Sequence, residues 1–113
     1  MSVEFLTASE PTQPGPVFFT RGELGLILRV YGRMVATGQW RDYALSAGPD
    51  MAAFAVMRRS GDAPAYTIEK RPALARRQGA WAVIGQGGVI LRRGRDLAQV
   101  LRVFDSRKFT VVE

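Results

Sequence analysis

Residues 79–104, GAWAVIGQGGVILRRGRDLAQVLRVF, constrain this chain more than any other stretch. Residues 80–84 and 89–91 are apolar and partly β-branched, which suits pleated, half-buried strands. Between them stand Gly85-Gln86-Gly87-Gly88. Glycine reaches positive φ without a steric penalty, and tight hairpin turns need that conformation. The second run leaves through Arg92-Arg93-Gly94-Arg95. Asp96 then stands where a helix N-cap belongs, with Gln99 at capping-box spacing. Leu97, Val100, Leu101 and Phe104 follow at i, i+3, i+4 and i+7 and share one face. The stretch predicts a hairpin and then a short amphipathic helix over 97–104 that lies on the sheet. It also allows a final short strand at 109–112.

Upstream, Thr20-Arg21-Gly22-Glu23 is a capping box, preceded by Phe18 and Phe19. Leu24, Ile27, Leu28, Tyr31, Met34 and Val35 trace an apolar face, and Gly38 is a suitable residue to end the helix. A helix over 21–37 follows. Gly25, Arg29 and Gly32 lie on a second, small-residue stripe of the same helix. A glycine inside a helix costs about 1 kcal/mol relative to alanine, so two of them predict close packing on that side. The neighbour is either the chain's own sheet or the same stripe of a second copy, in a homodimer.

Tyr43, Leu45 and Ala47 alternate with polar or small residues, as in a strand. Gly48-Pro49-Asp50 turns the chain, and residues 51–57 are apolar throughout, predicting an inner strand. A second turn at 58–62 leads to the alternating residues 65–70, which Arg71-Pro72 ends. Residues 73–78 form a basic connector, at most one helical turn. Short hairpin connections make the sheet antiparallel. The expectation is a single α+β domain over 17–113: an N-terminal helix, a five-stranded antiparallel meander and a C-terminal helix. Residues 1–16, with three prolines among Ser and Thr, read as a flexible arm. The expected core is Leu24, Ile27, Leu28, Tyr31, Leu45, Phe54, Val56, Ile68, Val83, Ile90, Leu97, Val100 and Leu101.

Trp40-Arg41-Asp42-Tyr43, taken with Ile68-Glu69-Lys70-Arg71-Pro72, resembles a family of short, uncharacterised bacterial proteins classed as a domain of unknown function. The resemblance runs over residues 18–112. It implies no activity, cofactor or catalytic residue. On packing grounds alone, Trp40 and Tyr43 are expected to close the core below the first helix.

The chain contains neither histidine nor cysteine. That removes the usual nucleophile–base pairs, thiolate metal sites and disulfides. The glycine cluster lacks the Gly-Lys-Ser/Thr ending of a phosphate loop. Glu69 and Lys70 are adjacent, so in a strand they point to opposite faces and cannot form a nuclease-type acid–lysine pair. The expectation is a protein that is not an enzyme, with no cofactor and no metal. No apolar run approaches the ~18 residues of a membrane span, and no basic-then-apolar leader opens the sequence. A cytoplasmic location without membrane association is expected.

Charge is uneven. The net charge is +6, from sixteen basic and ten acidic residues. Residues 1–57 carry four basic and five acidic groups, net −1, whereas residues 58–113 carry twelve and five, net +7. The basic groups cluster at Arg58-Arg59, Lys70-Arg71, Arg76-Arg77, Arg92-Arg93-Arg95 and Arg107-Lys108, each near a strand end or turn. Tyr66, Trp81 and Phe109 are interleaved rings. Arginine bonds phosphate bidentately, and rings stack on bases. A nucleic-acid-binding surface of Arg58, Arg59, Arg71, Arg76, Arg77, Trp81, Arg92, Arg93 and Arg95 is the leading expectation. A protein–protein adaptor whose arginines meet an acidic partner is the alternative.

Overall fold

The computed structural model describes residues 16–58 and 63–105. In chain order it contains α1 (Arg21–Ala36), β1 (Asp42–Ala47), β2 (Ala52–Met57), β3 (Tyr66–Lys70), β4 (Trp81–Gly85), β5 (Ile90–Gly94) and α2 (Leu97–Leu101). The five strands pair antiparallel in the order β1-β2-β3-β4-β5. This is the α+β meander that the periodicity predicts. The arm at 1–15, Arg59, and the final strand at 109–112 lie outside the described residues.

α1 begins where its capping box places it. Thr20 Oγ1 accepts the Glu23 N–H at 3.1 Å, and Glu23 Oε1 accepts the Thr20 N–H at 2.8 Å. The helix ends at Gly38, whose φ of +81° is the left-handed conformation that releases a chain from a helix. Asp96 caps α2 by accepting the Ala98 N–H at 3.0 Å. Residues 102–105 continue from α2 as a turn of 3-10 helix. No helix of the described residues is long and apolar enough to cross a membrane.

Both helices lie on one face of the sheet. On that face Phe54, Val56, Ile68 and Val83 are fully buried beneath Ile27, Met34, Leu97, Val100 and Phe104. An aromatic cluster closes the layer. Trp40 meets Phe104 edge-on at 4.9 Å, and Phe104 meets Tyr66 at 5.2 Å. Tyr31 packs on Tyr43 at 4.9 Å, and Tyr43 stacks on Phe54 at 4.7 Å. The Tyr31 hydroxyl donates to the Arg41 carbonyl at 2.8 Å. Partial burial, and then the Asp42 carboxylate and Tyr43, hold that hydroxyl above the ordinary phenol range, which keeps it a donor.

The opposite face carries Ala44, Ser46, Ala53, Ala55 and Thr67 in register, with no helix over it. β2 is an inner strand as its apolar run predicts, yet only alternate residues are fully buried. Its second face is Ala53, Ala55 and Met57, two of them small side chains that need little cover in a sheet wetted on one side.

Three residues expected in the core are exposed: Leu28, Leu45 and Ile90. Leu45 and Ile90 sit on the edge strands β1 and β5, beyond the reach of the helix layer. Leu28 lies on the flank of α1. Phe19, Met34, Trp81 and Phe104 are buried in their stead. The stripe Gly25, Arg29, Gly32 does not pack on the sheet. A Cβ built at Gly25 or Gly32 meets nothing within 4 Å.

Two glycine substitutions separate these environments. Gly32→Ala should stabilise the protein by about 0.5–1 kcal/mol, because the helix gains a better former in open space. Gly79→Ala should destabilise it by at least ~2 kcal/mol. Gly79 has φ +104°, and an added Cβ would stand 2.2 Å from the Gly94 carbonyl carbon. Urea denaturation of the two variants beside wild type measures both signs.

Candidate nucleic-acid interface

The basic residues of the second half divide into those the fold consumes and those it displays. Glu69 is a buried carboxylate on the sheet face opposite the helices. Its Oε1 accepts from Arg71 Nε at 3.0 Å and lies 3.7 Å from Arg93 Nη2. Arg93 also donates to the Gly79 carbonyl at 3.2 Å, and its side chain is only 16% exposed. A buried carboxylate is tolerable only when paired. Arg71 and Arg93 are therefore held by Glu69 rather than offered to a ligand.

Lys70, one residue on, points to the other face, as strand alternation requires. Its Nζ donates to Glu23 Oε1 at 2.7 Å and to the Phe18 carbonyl at 2.8 Å. It also lies 5.8 Å from the Trp81 ring centre. The lysine ties the start of α1 to the sheet. Trp81 is 7% exposed and stacks on Phe19 at 6.2 Å. Tyr66 is packed between Trp40 and Phe104. Neither ring offers a free face to a base. The alternation that marks them as strand residues does not reveal which face the helices cover.

A display surface remains. The β3–β4 connector, residues 71–80, folds into a 3-10 turn at Pro72–Leu74 and returns at Gly79. Arg95 fastens this turn to the start of α2. Its Nε donates to the Ala75 carbonyl at 3.2 Å, and its Nη2 donates to the carbonyls of Arg76 at 2.8 Å and Arg77 at 3.3 Å. One guanidinium thus satisfies three carbonyls at the end of a helical turn, a geometry suited to its forked donors. The clamp sets the backbone of Arg76 and Arg77 against the Arg95 guanidinium, eighteen or more residues away in sequence. Arg92, Arg93 and Arg95 line an open cleft of about 380 Å³ with Gln78, Gln99 and Asp96. Asp96 accepts the Ala98 N–H as the α2 cap, and the arginines and the two glutamine amides supply donors around it.

Arg76, Arg77 and Arg92 are exposed, and among the described residues their guanidiniums have no bonded partner. Arg58 is elsewhere. It follows β2, lies 6.0 Å from the Tyr66 ring centre and occupies the opposite end of the sheet from the connector. Eight of the nine residues grouped by sequence are described: Arg92 and Arg95 line the cleft, Arg76 and Arg77 stand on the turn that Arg95 clamps, Arg71 and Arg93 pair with Glu69, Arg58 is remote and Trp81 is buried. Arg59, Arg107, Lys108 and Phe109 lie outside the described residues. The fold uses two groups that sequence reasoning did not place in the site, Gln78 and Gln99, whose polarity alone carries no signal. Arg95 reads as a ligand-binding arginine in the sequence, and no spacing rule identifies it as the clamp on the 75–77 turn.

The ion pairs of Glu69 are testable through stability. Glu69→Ala should cost about 2–4 kcal/mol, because Arg93 would keep its half-buried charge without a partner. Glu69→Ala with Arg93→Leu should recover part of that loss. Guanidinium denaturation of the single and double variants measures the coupling.

No curated protein and no solved structure matches this chain. Residues 17–101, which include β1 to β5, the connector and α2, match the family described as protein of unknown function, DUF2794. The capped first helix, the five-stranded meander and the Arg95-clamped turn all fall within that match, and the chain belongs to this family.

Proposed function

We propose that the protein is a non-enzymatic binding module that grips nucleic acid by its phosphate backbone. The contact is the patch formed by Arg76, Arg77, Arg92 and Arg95. The observation that carries this reading is the Arg95 clamp, which gathers arginines from two distant segments onto one surface. Among the described residues the carboxylates nearest in the fold are engaged: Glu69 by Arg71 and Arg93, Asp96 by the α2 backbone. Asp96 keeps its negative charge beside Arg95, and the four arginines still leave the patch net positive. Phosphate contacts position a nucleic acid without reading sequence. The burial of Trp81 removes base stacking from the mechanism, so affinity rests on charge and falls steeply with salt.

Polarisation titrations against duplex and single-stranded DNA and RNA test this. Binding should be measurable at ~50 mM salt and weaken along a log–log line as salt rises. Arg76→Ala, Arg77→Ala and Arg92→Ala should each flatten that slope by about one unit. Arg58→Ala, remote from the patch, should leave it unchanged. Absence of binding at ~50 mM salt, or identical slopes in the triple variant and wild type, overturns the reading. Capture of an acidic protein from nuclease-treated lysate, lost in the same triple variant, would replace nucleic acid with a protein partner.

A further inference from the structure

Among the described residues β1 is a terminal strand that pairs only with β2, and every residue of it from Tyr43 to Ala47 is exposed. Sheet edges normally carry defences against pairing with another chain: a bulge, a lysine, a proline, or inward charge. β5, at the other edge, has such defences. Its register slips opposite Val83 and Ile84, and it carries Arg92 and Arg93. β1 has six unbroken pairs with β2 and none of these devices.

The side of the molecule at β1 is also apolar. Tyr43 is 42% exposed and Leu45 38%, both on the helix face of the strand. Above them Tyr31 packs on Tyr43. Leu28 and Val35 lie three and four residues from Tyr31 and so flank it on the same helix side. They are 37% and 38% exposed. Helix flank and strand edge form one continuous surface. Gly25, Arg29 and Gly32 point away from it, on the α1 face opposite the buried Ile27 and Met34.

We infer that this surface joins two copies of the chain through antiparallel β1–β1 pairing about a two-fold axis at Ala44, extending the two sheets into one. The sequence of β1 is self-complementary in that register. Tyr43 stands opposite Leu45 of the second copy, Asp42 opposite Ser46, Arg41 opposite Ala47, and Ala44 opposite itself. Large apolar residues meet, polar residues meet, and no like charges face each other. A register centred on Leu45 would run Asp42 against Gly48. That position is already bridged by Val17, whose N–H donates to the Gly48 carbonyl at 2.7 Å. The register centred on Tyr43 would set Leu45 against Arg41. The two-fold axis places both α1 helices on the same side, so Leu28 and Val35 approach their counterparts above the paired strands.

The area suffices. A strand edge and helix flank each about 23 Å long, and a sheet-plus-helix layer about 20 Å high, offer roughly 450 Å² in projection per copy. Twice that approaches the ~1,000 Å² a specific interface must clear, and side-chain relief adds to it.

The chain has no cysteine, so single introduced thiols report the register. Ala44→Cys places the two thiols across the axis, within disulfide reach, and mild oxidation should convert the protein to a covalent dimer. In the proposed register Ser46→Cys separates its thiols by four residues along the strands, about 13 Å, and should not cross-link. Sedimentation of wild type at ~100 μM should give twice the chain mass, a concentration at which even a modest interface is populated. Leu45→Lys should weaken the dimer at least ~100-fold, with unchanged circular dichroism. Ile90→Lys, on the opposite edge, should sediment as wild type. A wild-type monomer at that concentration overturns the inference. So does equal cross-linking of the two cysteine variants, or dispersal by Ile90→Lys and not by Leu45→Lys.

Discussion

The contact on which the rest of this fold depends is the edge-on meeting of Trp40 and Phe104. Trp40 stands where the chain leaves α1 for β1, and Phe104 stands just past α2. The sequence between them contains the whole sheet. Joining these two rings closes a loop of more than sixty residues, which carries an entropic cost that only buried area repays. Tyr66 at the start of β3 completes the cluster from below. The three rings therefore bind the first helix, the middle strand and the last turn at one point. The ion pair from Arg33 to Asp105, at 2.7 Å, lies on the exposed rim of the same junction and adds little by itself.

That closure determines the fate of the charges. With both helices on one face, Glu69 falls on the uncovered side of β3, where the 71–80 connector and the end of β5 meet. A carboxylate there needs cations, and Arg71 and Arg93 supply them. Lys70 faces the helices and anchors Glu23. With Arg95, the clamp on the 75–77 turn, four of the basic groups that make the second half so positive in sequence thus serve the fold. Net charge counts all of them equally. Only the topology separates paired cations from those that still seek a partner.

The elements themselves were legible because each rests on a local rule. Thr20 and Glu23, Gly38, Asp96 and the glycine turn mark their boundaries through nearest neighbours in sequence. Period-two alternation correctly paired residues to faces. It could not say which strands would be edges, so Leu45 and Ile90 read as core although no helix reaches them. Trp81 shows the same limit in reverse. Its strand position was plain, but its burial depends on Phe19, more than sixty residues earlier. The glycines of α1 signalled close packing on the sheet or on a second copy, and the sheet is not the neighbour, since a Cβ at Gly25 or Gly32 meets nothing of this chain within 4 Å. The structure offers no packing reason for either of them. The arginine patch was half legible. Its members were evident as a cluster in sequence, whereas the clamp that assembles it joins Arg95 to backbone carbonyls, which no side-chain pattern encodes.

The two surfaces left unspent by folding lie on opposite edges of the sheet. The arginines stand beside β5 and α2, and the apolar residues stand beside β1 and α1. This separation has a physical consequence. Arginines brought face to face across a two-fold axis would repel, so a copy docking through the basic edge would work against its own charge. Docking through β1 keeps the like charges as far apart as the molecule allows. On the proposed pairing the neutral edge would associate with itself and the basic edge would stay open to an anion. In a paired assembly the two arginine patches would sit at the far ends of one continuous sheet, each about nine strand spacings of ~4.8 Å from the other. A polyanion long enough to span that distance would bind both at once, and its affinity would then exceed that of a short one without any new contact.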